Sequence, residues 1–248
     1  MNKAVLSLLV PATLAAVPAQ AVEADFSLNT TLTTDSRWRG VSLTNTQPAL
    51  QLTADLFFDN GFYLGSWLSH IENGTLDANN QLSGEQDIEL HAWGGYSNFL
   101  TDEIGYAGSI MFYNYPEPDA NLTGFSEYIA TVFGYGFVVE YAYSNDFSGL
   151  GTSSHYFDVD FEQPLMENLT LNLHAGHSWG EYADLAMAGS YTDLSASLKT
   201  SHFGFDFSLD LIHNILDDSQ KFNPNDIFSN FVFTDNGSTA VFSIGKTF

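Results

Sequence analysis

Residues 155–177 read HYFDVDFEQPLMENLTLNLHAGH. Phe157, Val159 and Phe161 alternate with Tyr156, Asp158, Asp160 and Glu162; after a short interruption Leu169, Leu171, Leu173 and Ala175 alternate with Thr170, Asn172, His174 and Gly176. Successive side chains on a strand point to opposite faces, so each half is a strand with one apolar and one polar face. The connection near residue 165 is short enough for a hairpin and too short for a crossover, which makes the pair antiparallel.

The same pattern recurs along the chain. Leu50, Leu52, Ala54, Leu56 and Phe58 oppose Gln51, Thr53 and Asp55, and Phe203, Phe205, Phe207, Leu209 and Leu211 oppose Gly204, Asp206, Ser208 and Asp210. Segments of this kind cover 25–43, 47–58, 61–71, 85–97, 102–115, 124–134, 136–146, 153–163, 168–178, 185–199, 203–214 and 238–248, the first long enough to be bent or bulged. Helical periodicity is essentially absent. Connections near 60, 100, 135 and 165 are short, whereas those at 71–85, 146–153, 178–185 and 214–238 are longer or more polar. Strands of about ten residues, with short turns at one end and long loops at the other, are the pattern of an outer-membrane barrel. The expected fold is all-β: a transmembrane antiparallel meander β-barrel of about twelve strands.

Composition agrees. The 248 residues include 30 acidic and 6 basic ones, for a charge of −24, yet only 15% are charged while 15% are aromatic and 44% hydrophobic. A chain this acidic repels phosphate backbones, which excludes nucleic acid as a partner. It is also too apolar for an acidic disordered tail. With no cysteine there are no disulfides, thiolate metal sites or thiol nucleophiles.

Residues 1–21, MNKAVLSLLVPATLAAVPAQA, have a positive Lys3, an apolar stretch and a small-x-small Ala19-Gln20-Ala21 site. They read as a signal peptide, leaving 22–248 as a single barrel domain whose charge becomes −25 on loss of Lys3. At the other end, Ala240, Phe242, Ile244 and Phe248 share a face interrupted by Lys246. A terminal aromatic on an alternating strand resembles the recognition signal of bacterial outer-membrane proteins. The expected location is therefore the outer membrane of a Gram-negative cell, with lipid and lipopolysaccharide around the barrel, the barrel assembly machinery as a partner during insertion, and small solutes as cargo. Phe57-Phe58, Phe62-Tyr63, Tyr113 with Tyr115, and Phe231 with Phe233 are candidates for aromatic girdles.

Residues 33–69 read TTDSRWRGVSLTNTQPALQLTADLFFDNGFYLGSWLS. Arg37, Trp38, Arg39 and Gly40, then Pro48 and Ala49, then Gly61, Phe62, Tyr63, Gly65 and Trp67 make this stretch similar to the N-terminal signature of the Gcw_chp family, also catalogued as a porin family. The resemblance implies an outer-membrane barrel and points to no particular substrate.

If Leu32, Trp38 and Val41 lie outward, Arg37 and Arg39 share the inner face of the first strand. There they would meet Asp55, Asp87, Glu89, Glu140, Asp158, Asp160, Asp206 and Asp210, either bracing the barrel or orienting a permeating solute. These ten residues are the lumen or selectivity candidates. His174 and His177 are three apart and so face opposite ways, and no metal or cofactor site is expected from their spacing. His177 beside Ser178, and His202 beside Ser201, have the residue types of an acyl hydrolase, but neighbours on a strand diverge and no Gly-x-Ser-x-Gly elbow occurs, so no catalytic residue is assigned. Asp217, Asp218 and Asp226 around Lys221 form a polar loop without calcium-loop spacing. The leading expectation is a passive channel whose acidic lumen favours cations; the alternatives are a closed structural or adhesive barrel and, behind it, a barrel-embedded acyl hydrolase.

Overall fold

The computed structural model describes residues 23–76, 82–116, 124–186, 189–216 and 237–248, with side chains at 72–76, 82–87 and 185–186 excluded. The expected signal peptide, the 217–226 acidic loop, and Phe231 with Phe233 lie outside the described residues. Twelve strands form the wall: β1 (Ala24–Thr33), β4 (Ala49–Phe58), β5 (Phe62–Leu76), β6 (Leu82–Phe99), β7 (Ile104–Asn114), β8 (Phe125–Gly134), β9 (Phe137–Ser144), β10 (Ser154–Met166), β11 (Leu169–Trp179), β12 (Tyr191–His202), β13 (Phe205–Leu216) and β14 (Ser238–Thr247). Each pairs antiparallel with its neighbour in sequence, and β1 pairs with β14 from Asn29 opposite Thr247 to Thr33 opposite Ser243, which closes the barrel. Closure removes the sheet edge, the condition for a sheet to sit in hydrocarbon without unpaired backbone groups.

The alternation in the sequence sorts residues between the two faces. Phe26, Leu32, Leu50, Leu64, Phe112, Val132, Phe157, Leu173, Leu198, Leu209, Leu211 and Phe242 are all exposed on the outside. An apolar surface of this extent is incompatible with water and is the lipid-facing belt of a membrane barrel. Lys246 shares that face near the short-turn rim, where its ammonium lies 4.9 Å from the Phe248 ring and 5.6 Å from that of Phe205. A long side chain so placed keeps its charge at the interface while its stem stays in the apolar layer.

Both termini of the barrel and the turns after β4, β6, β8, β10 and β12 lie at one end. Gly61, with φ of +89°, lets the Asp59-Asn60-Gly61 turn close, and its N–H donates to the Phe58 carbonyl at 3.0 Å. Longer connections gather at the opposite end, among them α1 (Glu181–Ala186). This helix occupies the start of the expected 185–199 strand, which instead begins at Tyr191. Strands β5 and β6 continue well past the expected limits, into a hairpin paired as far as Leu76 opposite Leu82.

The main correction concerns the 25–43 segment. Strand β1 ends at Thr33, and the chain then forms a separate hairpin of β2 (Arg37–Trp38) and β3 (Val41–Ser42) that pairs with no wall strand. Asp35, Ser36, Arg37, Ser42 and Thr44 bond to one another at its base, and the segment leaves the wall. Two girdle candidates also turn inward: Tyr113 is buried, and the Tyr115 hydroxyl donates to Glu89 at 3.1 Å.

Leu211 lies midway along β13 and is 58% exposed on the outer face, paired with Ala196 and Ala240. Leu211→Arg is expected to destabilise the barrel by about 2–4 kcal/mol in a lipid bilayer, the cost of a cation at mid-depth. Urea unfolding from phospholipid vesicles measures it.

Candidate functional site

The inward hairpin is built around one carboxylate. Asp35 accepts hydrogen bonds from Arg37 Nε at 2.6 Å, Ser42 Oγ at 2.6 Å and Thr44 Oγ1 at 3.0 Å, while the Leu43 N–H donates to the Ser36 carbonyl at 2.7 Å. Between Trp38 and Val41 stand two residues of positive φ, Arg39 at 48° and Gly40 at 78°, as a tight primed hairpin turn requires. Gly40 is needed for a second reason: a Cβ there would run into the side chains of Asn214 and Asp193. Its carbonyl instead accepts from Asn214 Nδ2 at 2.9 Å, and the Tyr191 hydroxyl donates to the Arg39 carbonyl at 3.1 Å. The turn is thereby held by β12 and β13.

Arg39 reaches across to β8. Its Nη1 and Nη2 donate to the two carboxylate oxygens of Glu127 at 3.0 and 2.9 Å, and the Tyr113 hydroxyl donates to Glu127 Oε2 at 2.6 Å. The guanidinium carbon lies 4.1 Å from the ring centres of both Trp38 and Tyr156. Arg39 and Glu127 side chains are 8% and 0% exposed. A planar cation with a bidentate counter-ion and two ring faces has most of its lost hydration replaced.

This geometry corrects the expected arginine pair. Arg37 and Arg39 do not share a barrel-strand face; both belong to the hairpin, and Trp38 packs inside the barrel rather than against lipid. Its ring meets Tyr113 at 6.0 Å and Phe147 at 5.9 Å. Phe147 in turn lies 4.2 Å from Phe125 and 4.3 Å from Tyr182 of α1. An aromatic layer therefore covers the hairpin at the long-loop end. Within it, burial pushes the Tyr182 phenol up, partly opposed by its hydrogen bond with Ser148. The Ser153 N–H and hydroxyl both donate to Glu181, which lowers that carboxyl from its usual value.

Of the acidic candidates, Asp158 and Glu140 are direct neighbours on β10 and β9, with Asp160 one step further along β10. His174 on β11 joins them: its Nδ1 is 3.1 Å from Asp160 Oδ1 and its Nε2 is 3.2 Å from Asp193 Oδ1. Glu89 pairs with His91 at 2.8 Å. Asp210 accepts from Ser208 at 2.8 Å, and Asp206 from Ser201. Asp55 shares the inner face opposite Ser27 and Gly65, apart from the others. Asp87 pairs with Ile71 in the β5–β6 ladder, but its side chain is outside those described.

Sequence reading missed Glu127, Asp193 and Tyr156 as site residues. Asp193 was within reach, since Asp193, Ser195, Ser197 and Lys199 alternate with Leu194, Ala196 and Leu198. Glu127 was harder, because both faces of β8 carry large apolar residues and its one acid marks neither. The serine–histidine pairs separate: the His177 ring is exposed and bonded to Thr192, Ser178 is buried on the opposite face, and His202 meets Asn168.

The described residues enclose interior space in at least two places. One of about 380 Å³ is lined by Arg37, Arg39, Glu140, Tyr156, His174 and Asp193 among others. A second of about 440 Å³, between Asn29, Thr170, Lys199, Asp206 and Ser243, lies toward the short-turn end. Polar side chains line most of the second, whereas in the first they mix with Trp38, Met111, Ile129 and Ile212.

A closed twelve-stranded wall, a lipid-compatible belt and an interior holding an inward hairpin define an outer-membrane β-barrel. The sequence matches, over residues 16–248, the model of a family described as a bacterial protein of unknown function, Gcw_chp, and the chain belongs to that family. No curated protein matches the sequence. Among solved structures the barrel is similar to the KdgM porin, with a TM-score of 0.52 at 7% identity over 90% of this chain and 99% of the other. It is likewise similar to the NanC porin, with a TM-score of 0.53 at 10% identity over 90% and 98% of the two chains. At such identities the likeness concerns the fold.

Removing one partner of a buried ion pair leaves the other charge without compensation, which costs about 3–5 kcal/mol. Glu127→Gln is expected to destabilise the folded barrel by that order in urea titrations. The double variant Arg39→Met with Glu127→Leu should recover most of the loss.

Proposed function

We propose that this protein is a narrow outer-membrane channel for small solutes, with an interior that favours cations or neutral molecules over anions. The supporting observation is the charge arrangement of the inner wall. The two arginines that enter the lumen are each engaged by a carboxylate, Arg37 by Asp35 and Arg39 by Glu127. Glu140, Asp158, Asp160 and Asp193 stay clustered on the wall around one histidine, next to the cavity that the hairpin roofs. In a low-dielectric passage such an excess lowers the barrier for a cation and raises it for an anion. The fold shared with two porins supports passage as the general role.

A second reading has its own support. The contacts among Trp38, Phe125, Phe147 and Tyr182 at the long-loop end are of the kind with which a structural or adhesive barrel would close its lumen.

Purified protein in planar bilayers under a potassium chloride gradient separates the two. The channel reading expects discrete conductance with a reversal potential on the potassium side, reduced by Glu140→Gln. Anion preference, or a membrane that stays silent with folded protein inserted, overturns it.

A further inference from the structure

Asp158, Asp160 and His174 carry the strongest unexplained chemistry in the lumen. One ligand atom from each can be chosen so that all three lie within 4.8 Å of one another. They come from two adjacent strands, with Asp160 directly opposite His174 and Asp158 opposite Gly176, so the wall itself sets their spacing. Gly176 matters because a Cβ at that position would collide with the Tyr156 hydroxyl and the Asp193 carboxylate.

A cluster of carboxylates alone is common, but two features set this one apart. Asp158 is 6% exposed, and its carboxylate accepts no hydrogen bond from any described residue. A carboxylate largely withdrawn from water and without a protein donor is open to a cation as its partner. The second feature is the histidine. Its Nε2 side is fixed by Asp193 at 3.2 Å and by the Tyr156 hydroxyl at 3.0 Å, while Tyr156 itself donates to Asp193 at 3.0 Å. That leaves Nδ1 toward Asp160, 3.1 Å away, with Asp158 within the same cluster. A carboxylate holding one ring nitrogen while the other is turned to the ligand side is the arrangement that orients metal-binding histidines.

We infer that Asp158, Asp160 and His174 form a binding site for one divalent cation of the zinc class inside the barrel, with Asp193 and Tyr156 positioning the imidazole. One nitrogen and two carboxylate oxygens suit a first-row transition ion better than magnesium, which prefers an all-oxygen shell. Three protein ligands leave a fourth position for water, or for a ligand from the neighbouring cavity. On binding, the ion takes the place of a proton on Nδ1, which leaves to solvent, and the Nδ1 contact with Asp160 gives way to coordination by both groups. Glu140, beside Asp158, and Arg39, beyond Tyr156, are the other charged groups facing the site. This inference stands whether or not the lumen conducts, because its readout is binding rather than current.

The test titrates zinc chloride into the detergent-folded full-length barrel by calorimetry and records the visible absorption of the cobalt(II) form. The expected result is one ion per chain and a cobalt spectrum with imidazole character. His174→Gln and Asp158→Asn should each weaken binding at least tenfold, and Asp193→Asn about 10–100-fold through loss of orientation. Asp206→Asn, in the other cavity, should leave binding unchanged. Heat-modifiable migration on gels shows that each variant retains the barrel; Asp158→Asn breaks no hydrogen bond and should fold as the parent does. Absence of stoichiometric zinc binding by the folded parent overturns the inference. Equal affinity in His174→Gln and Asp158→Asn, or displacement of zinc by a hundredfold excess of magnesium, does the same.

Discussion

A guanidinium taken out of water must find its counter-charge in the protein, and the meeting of Arg39 with Glu127 organises the interior of this barrel. The pair joins the tip of a hairpin that belongs to no wall strand to the inner face of β8 near its long-loop end. Everything around it follows from making that meeting possible: a primed turn with Gly40 where a side chain cannot fit, Asp35 closing the hairpin base, and Trp38 and Tyr156 supplying ring faces in place of water. The ion pair works less as a source of net stability than as a register, since a hairpin docked anywhere else would leave two buried charges unmatched.

Outside, hydrocarbon imposes the complementary constraint. It offers no hydrogen bonds and tolerates few charges, so the sheet closes on itself and the strands turn their charged residues inward. Among the described residues the acidic side chains thus lie in the lumen and in the loops. Within the lumen it is uneven. Glu89 is matched by His91 and Glu127 by Arg39, while Glu140, Asp158, Asp160 and Asp193 share one imidazole. This imbalance links the two functional readings of the interior, a path that favours cations and a place where one can be held.

The wall was legible in the sequence because lipid enforces strict alternation. Segments such as Phe157–Phe161 and Leu169–Ala175 could be read face by face, and twelve of them close a barrel. What could not be read was any residue whose partner is set by closure rather than by period. Arg37, Trp38 and Arg39 alternate as a strand would, and continuing β1 through them was the natural extrapolation; the break comes from Asp35, Ser42 and Thr44 bonding to one another. Likewise the spacing of His174 and His177 on one strand says nothing of the partners of His174, Asp160 and Asp193, which lie on the strands either side. Periodicity tells which face a residue occupies and is silent on which neighbour it meets across a curved sheet.

The central claim, that a buried ion pair keeps the hairpin docked inside the barrel, is tested most directly by cysteine protection, since the chain has no cysteine of its own. Ser36 is buried in the hairpin base, and Asn45 is exposed beyond it. With Glu127 present, a polar maleimide should label Asn45→Cys readily and Ser36→Cys far more slowly; adding Glu127→Gln should speed the Ser36→Cys reaction and leave that of Asn45→Cys unchanged. Labelling of Ser36→Cys at the Asn45→Cys rate with Glu127 in place, or protection that persists unaltered when Glu127 is replaced, would contradict the account.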